Sequence, residues 1–372
     1  MKKRYIAALT TLAVAASFAV VLGGGASASP KQQKLTDVTL QLKWVPQAQF
    51  AGYYAASLKG FYKDAGLNVT LKNGGPDIIP EQVVASGQAQ FGVDWLPSLL
   101  AARDKGTDLV NVSQVFARSG MTQLTWKSSG IDSIAKMKGK KVANWLGGNQ
   151  YELFAALTKA GMNPAKNSGV TIVQQPFDMN LLLQSKVDSA SAMTYNELAQ
   201  VLETKNPKTG KLYTLAELNV IKMQDAGTGM LEDGLFSTGS WLKSAANQAI
   251  AVKFIEASLK GWIYCRDHAA ECVSMTLQEG PTLPKGHQTW MMNEINKLVW
   301  PAGAAGVGVM DKAAFTRTAS IAQQFGVISK APSDAYRTDL AAKAVANLKA
   351  ASTDVVGASW KPAAVAVTAG GK

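Results

Sequence analysis

Residues 37–72 read DVTLQLKWVPQAQFAGYYAASLKGFYKDAGLNVTLK. In DVTLQLKW (37–44) apolar and polar side chains alternate, the period of a strand with two different faces. From Phe50 to Ala65 the apolar residues recur at helical spacing, which predicts an amphipathic helix over 50–65, ended by Gly66. LNVTLK (67–72) is the next strand. Strand, helix and strand in such short order are the grammar of an α/β sheet covered on both faces.

The same grammar continues. GGPDIIP is a turn into a helix near Pro80–Ser86, Gln90–Val93 is a short strand, and Pro97–Lys105 is a helix. Val110–Phe116 and Gln123–Trp126 are further strand candidates. The pattern restarts at Ile131, with strands at Lys141–Trp145, Val170–Gln174 and Ser189–Met193. Helices at Glu152–Lys159, Met179–Gln184 and Tyr195–Leu202 alternate with them. After Gly234 the chain reads as mostly helical: Trp241–Tyr264, Ala269–Thr276, His287–Leu298, Lys312–Phe325 and Asp334–Leu348. The restart implies two lobes, one from 37–128 with 232–345 and one from 129–231. They would be joined by crossings near Lys127–Ile131 and Met230–Gly234. Residues 350–372, rich in Ala, Val, Gly and Ser without a period, are expected to be loosely ordered.

The chain starts MKKRYIAALTTLAVAASFAVVLGGGASASP. A basic start, an apolar run and the small-residue site Ala26-Ser27-Ala28 predict a secretory signal peptide over 1–28. The mature protein is then expected outside the cytoplasm, in a periplasm, and no Cys near the site offers lipid attachment. Of the 372 residues, 47% are apolar and 17% charged, which excludes a wholly disordered chain. The net charge of +12 is scattered without an Arg cluster, so a nucleic-acid partner is not expected. Two Cys and two His leave little for a metal centre. Cys265 and Cys272 on one straight helix would lie about 10.5 Å apart along its axis, too far to bridge. A helix break at Arg266–His268 would bring them together as a disulfide; two buried free thiols are the alternative.

Four Trp follow strand-like runs directly: Trp44, Trp95, Trp126 and Trp145. The carboxyl ends of strands in open α/β sheets form the ligand crevice, so these four predict an aromatic-lined cleft. The loops beside them carry the polar groups. Gln47 and Gln49 offer amides, and the small Ala51, Gly52 and Ala55 would let a flat group approach the backbone near Tyr53 and Tyr54. Tyr54 could equally pair with Phe50 in the core. Asp94 would accept hydrogen bonds from imide or hydroxyl donors, or cap the following helix. Gly147-Gly148-Asn149 allows close backbone approach at a helix start. Thr194, Tyr195, Asn196 and Glu197 again follow a strand, and Asp178 reads as a helix cap. No nucleophile–base pair stands out, and His268 and His287 read as surface residues. Asp94 and Glu197 are the only candidate bases, so no catalytic residue is assigned.

With LKWVPQAQFAGYYAASLKGFYKDAGL, PEQVVASGQAQFGVDW, VANWLGGNQYE, QQPFDMN, MTYNE and GWIYCRDHAAEC, the chain resembles bacterial ABC-transporter substrate-binding proteins of the NMT1/THI5-like group. The resemblance covers roughly 37–345, and QAQFAGYY, GVDWLP, WLGGNQ and MTYNE look most like its riboflavin-binding branch. It implies a two-lobed, type II periplasmic-binding-protein fold that closes on a ligand between the lobes. The ligand would be riboflavin or a close flavin, carried as cargo and not as a cofactor. The receptor would be a monomer and deliver the ligand to a membrane ABC permease. A thiamine-precursor pyrimidine is the alternative ligand. The resemblance places Trp44, Gln49, Tyr53, Asp94, Trp95, Asn149, Tyr151, Tyr195, Asn196 and Glu197 in or beside the cleft. The related eukaryotic pyrimidine synthase uses a histidine and a Cys-rich motif that the strand-end loops here lack. Asp94 and Glu197, placed in one cleft, would disfavour a phosphate and favour riboflavin over its phosphate ester.

Overall fold

A computed structural model describes residues 34–372; the predicted signal peptide lies outside them. In chain order the strands are β1 Thr36–Gln41, β2 Leu67–Lys72, β3 Phe91–Trp95, β4 Val110–Gln114, β5 Met121–Trp126, β6 Lys141–Asn144, β7 Thr171–Gln174, β8 Ser189–Met193, β9 Leu218–Lys222 and β10 Asp233–Ser237. The helices are α1 Ala51–Leu58, α2 Phe61–Asp64, α3 Pro80–Ala85, α4 Leu96–Asp104, α5 Tyr151–Lys159, α6 Asn180–Leu183, α7 Glu197–Leu202, α8 Met223–Ala226, α9 Ala245–Asp267, α10 Ala269–Glu279, α11 Lys285–Val299, α12 Lys312–Gln324 and α13 Asp339–Ala350.

Two five-stranded mixed sheets carry the two lobes, in the orders β2-β1-β3-β10-β4 and β7-β6-β8-β5-β9. The expected α/β architecture with flanking helices is present. The helix expected over 50–65 is two, because Gly60 adopts a left-handed φ of 79° and turns the chain between α1 and α2. Strands β9 and β10 were not anticipated. The first lobe boundary also moves. β5, assigned from sequence to lobe one, pairs antiparallel with β8 and β9 in the second sheet. The first crossing is therefore at 115–120, ahead of β5, and the second at 227–232, ahead of β10. Each sheet receives one antiparallel strand from the crossing segments, and periodicity alone does not reveal which sheet a strand joins.

Two buried carboxyl groups tie the crossings together. Glu152 on α5 accepts from Ser119 Oγ at 2.7 Å and from the Met230 amide at 3.0 Å. Glu232 accepts from the Gly120 and Met121 amides at 2.7 and 3.1 Å. Both crossings thus meet at one polar knot.

The tail is a correction. Residues 351–372 form little regular structure, yet they are packed and not loose. Val355 is buried and its carbonyl accepts from Val307 at 2.9 Å. The Ala363 amide donates to Asn293 Oδ1 on α11, Val367 packs on the core of the second lobe, and the Gly370 amide donates to the Glu203 carbonyl just beyond α7. The tail therefore runs from lobe one along α11 to lobe two. Its backbone hydrogen bonds and small side chains hold it there, features with no sequence period.

Cys265 near the end of α9 and Cys272 on α10 are bridged, with Cα atoms 5.5 Å apart. The break falls at His268, so the helical corner expected from sequence is what allows the bond. The enclosed loop is short, and chain entropy assigns the bridge about 2.5 kcal/mol. The Cys265→Ser/Cys272→Ser double variant should lose about that much in a denaturant titration, and the unmutated protein should present no thiol to a maleimide under denaturing conditions. Two titratable thiols would contradict the bridge.

Candidate ligand-binding cleft

Between the lobes lies a cavity of about 330 Å³. Its aromatic walls come from strand ends on both sides: Trp44 beyond β1 and Trp95 at the end of β3 from lobe one, Trp145 beyond β6 and Phe177 beyond β7 from lobe two. Trp44 meets Phe177 edge-on across the lobes, with ring centroids 4.9 Å apart and planes at 71°. Trp145 is anchored through its indole N–H to the Pro176 carbonyl at 3.2 Å. Among the described residues the side-chain NH₂ of Asn149 is buried in the cleft wall without a partner, and the indole N–H of Trp95 makes no close hydrogen bond, with the Asp233 carboxyl beside it. Unmade donors of this kind are costly in a closed core and are expected where a ligand supplies the acceptor.

Trp126, the fourth strand-end Trp, is elsewhere. Because β5 runs antiparallel to its neighbours, its carboxyl end lies at the far edge of the sheet. There Trp126 packs on Tyr213 and donates to the Leu182 carbonyl.

A hydrogen-bonded chain of polar groups forms one side of the cleft. Asn196 donates to Glu197 Oε1 at 2.9 Å and to Gln47 at 3.4 Å. Gln47 donates to Gln49 at 2.6 Å, and Gln49 to Asp233 at 2.9 Å. Glu197 also accepts from the Met193 amide at 2.9 Å. Burial raises its pKa to about 7, against the opposing effects of that amide and of His287. Burial likewise raises Asp233 to about 7, with Gln49 opposing.

His287, expected on the surface, is buried and lines the cavity from α11. Its Nδ1 lies 2.9 Å from Glu203 and its Nε2 2.9 Å from Asn196 Oδ1. Glu203 and Asn196 thus hold the ring from both of its nitrogens. α11 reaches the cleft from the long helical segment, so no strand-end signal marks His287, its neighbour Gln288, or Glu203. The helix expected from His287 starts two residues earlier, at Lys285, with Pro284 before it.

Of the ten expected residues, Trp44, Trp95, Asn149, Asn196 and Glu197 line the cavity. Gln49 is one bond behind it. Tyr53 is buried against Trp262 on α9, at 5.6 Å between ring centroids, and Tyr195 against Phe116 at 6.4 Å. Tyr53 sits on the packed face of α1 and Tyr195 in the turn between β8 and α7, and both rings are buried in the core. Asp94 faces away from the cavity. Its carboxylate accepts from the Trp95 amide at 2.7 Å and pairs with the buried Lys43 at 2.9 Å. Burial pulls the Lys43 pKa down, but Asp94, Glu81 and Asp233 outweigh it and the net shift is upward. Tyr151 lines a neighbouring pocket instead. The small residues of α1 admit α9 and not a ligand, since a Cβ at Gly52 would collide with the Trp262 ring.

Two mixed α/β lobes, joined by two crossings and enclosing an aromatic cleft, define a ligand-binding protein of the periplasmic-binding-protein fold. Residues 47–272 match the family model described as NMT1/THI5 like, and the chain belongs to that family. It is 26% identical over 320 residues to the riboflavin-binding protein RibY of Chloroflexus aurantiacus, covering 83% of this chain and 86% of that protein. It is 24% identical over 227 residues to a putative thiamine biosynthesis protein of Haemophilus influenzae, covering 57% and 71%. Among solved structures, the periplasmic aliphatic sulphonate binding protein SsuA of Escherichia coli shares the fold, with a TM-score of 0.57 at 15% identity and coverage of 89% and 94%.

Proposed function

We propose that the protein is an extracytoplasmic receptor for riboflavin or a close flavin, which it hands to a membrane ABC permease. The observation that carries this reading is the cavity of about 330 Å³ between Trp44, Trp95, Trp145 and Phe177. Its size is that of a small-molecule site, and its walls suit a flat heteroaromatic ring that stacks on indole faces. The likeness to RibY supports the same ligand class. The polar chain from Asn196 to Asp233 offers donors and acceptors to an imide edge. Export through a cleaved signal peptide and action as a monomer belong to the same proposal, and no catalytic step is assigned. Asp94, one candidate base, is held by Lys43, and the other, Glu197, already accepts on both oxygens.

Titration of the mature protein with riboflavin should quench flavin fluorescence to saturation. Trp95→Ala should weaken binding by roughly 10- to 100-fold, since stacking on one aromatic side chain is worth about 1–3 kcal/mol. Riboflavin should bind at least about tenfold tighter than its phosphate ester, a gap of about 1.4 kcal/mol. Absence of riboflavin binding up to about 100 μM, far weaker than the micromolar affinity worth about 8 kcal/mol, would reject the reading. The Haemophilus influenzae relative favours a second one, a thiamine-precursor pyrimidine. A pyrimidine that binds tightly without competition from riboflavin would select it.

A further inference from the structure

A second interlobe pocket, of about 660 Å³, lies behind the wall of the aromatic cleft. Glu81 on α3 and Ser98 on α4 line it from lobe one, and Gly148, Gln150 and Tyr151 from lobe two. The wall is one residue thick at two places. Of the neighbours Asp94 and Trp95, the first borders the rear pocket and the second the cleft; Gly148 and Asn149 divide in the same way. The wall is closed by the Lys43–Asp94 pair and by a hydrogen bond across it from Ser98 Oγ on lobe one to the Gly148 carbonyl on lobe two, at 2.8 Å. A bond between lobes is given up when they part, so an incoming hydroxyl can take its place. A side chain at Gly148 would fill this gap, since a Cβ there would lie 3.1 Å from Ser98 Oγ and 3.4 Å from Lys43 Nζ.

Glu81 is the unexplained group. It is 4% exposed and lines the rear pocket, and among the described residues no N–H or hydroxyl donor meets its Oε1; the Asp94 carboxyl lies against it. A buried carboxyl oxygen left unpaired costs free energy unless a ligand meets it. Asp94 beside it already serves the Trp95 amide and Lys43. Burial first, and then the Asp94 charge, hold the Glu81 pKa well above the usual carboxylate range, with Lys43 opposing. The same pocket is lined by the hydroxyls of Ser98 and Tyr151, the amide of Gln150 and the ammonium of Lys105. This set both donates and accepts, as a chain of hydroxyl groups requires.

We propose that the rear pocket receives the hydroxylated chain of the ligand whose ring lies in the aromatic cleft, with Glu81 as a hydrogen-bond partner of that chain. The assignment rests on the flavin reading and deepens it: a two-part site, aromatic and then polar, for a two-part ligand.

The test compares riboflavin, its phosphate ester, and lumichrome, the ring system without the hydroxylated chain, by calorimetry. Glu81→Leu should weaken riboflavin by tenfold or more and leave lumichrome within twofold. Glu81→Gln, which resembles the neutral acid in shape and polarity, should leave riboflavin and its phosphate ester within about threefold of the parent. A circular-dichroism melt confirms folding, and Tyr151→Phe, which should weaken riboflavin at least threefold and leave lumichrome within twofold, decides the matter if Glu81→Leu fails to fold. If the unmutated protein binds neither riboflavin nor lumichrome, the flavin reading falls and the assignment with it. If it binds both and Glu81→Leu or Tyr151→Phe affects them alike, or Glu81→Gln costs riboflavin as much as Glu81→Leu does, the rear pocket is not the site of the chain.

Discussion

Gly261→Leu is expected to yield no folded protein, and Gly261→Ala to lose about 2–3 kcal/mol of stability. Gly261 lies in α9, where that helix crosses α1. A Cβ at this position would fall on the Gly52 carbonyl oxygen and within 3.0 Å of Ala56 Cβ. The obstacle is backbone, so no side-chain rotation relieves it and the two helices must separate. Separation would loosen the Tyr53–Trp262 contact and the 2.9 Å hydrogen bond between Tyr62 and Ser258. Alanine favours a helix over glycine by about 1 kcal/mol, but overpacking of a tight core costs about 1–3 kcal/mol and sometimes more. The clash outweighs the propensity because it falls on the main helix pairing of lobe one. Gly75→Ala is the control, since its Cβ meets nothing within 4 Å, and it should stay within about 0.5 kcal/mol. Denaturant unfolding followed by Trp fluorescence measures all three. A Gly261→Ala variant as stable as Gly75→Ala would refute this packing account.

That crossing also shows what the sequence could and could not convey. GYYAAS announces small residues on a helix, and both a ligand and another helix fit the pattern; only the position of α9, about 200 residues on, decides. The alternation of strands and helices made the α/β class legible, because periods of 2 and 3.6 are local properties. Three of the four strand-end Trp reach the cleft for the same local reason. Trp126 does not, because the direction of β5 depends on a pairing partner far along the chain. His287 and Glu203 entered the cleft unannounced, one on a helix from the other end of the chain and one a residue past α7. The Asp94 carboxylate was placed in the correct loop, but the buried Lys43 that claims it belongs to another strand exit. Residues next to a strand end are legible as near the site; which face they turn to it is settled by long-range packing.

Stability should fall as pH rises from about 5 to 8, and Glu152→Gln should remove part of that fall. Burial raises Glu152 to about 8, with Ser119 and the Met230 amide opposing. Glu197 and Asp233 are raised to about 7, and Glu232 well above the carboxylate range by burial and by the charges of Glu152 and Asp233. In the unfolded chain these groups titrate at about 4. Between the two ranges the native protein keeps protons that the unfolded chain has released, so rising pH favours unfolding. The contribution is fully present below the unfolded pKa and is lost as pH rises toward the folded one. Each such group contributes a slope of about −1.4 kcal/mol per pH unit inside its own window. Glutamine resembles the neutral acid and can still meet Ser119 and the Met230 amide at the knot that ties both crossings. At pH 5 the variant should therefore match the parent closely. At pH 8 it should be the more stable of the two, because the unfolded chain no longer gains from ionising at that position. Denaturant midpoints at half-unit intervals of pH measure both slopes. Parallel slopes, or a parent whose stability rises over this range, would show that Glu152 is ionised in the native protein and that the knot is held by a carboxylate and not by a neutral acid.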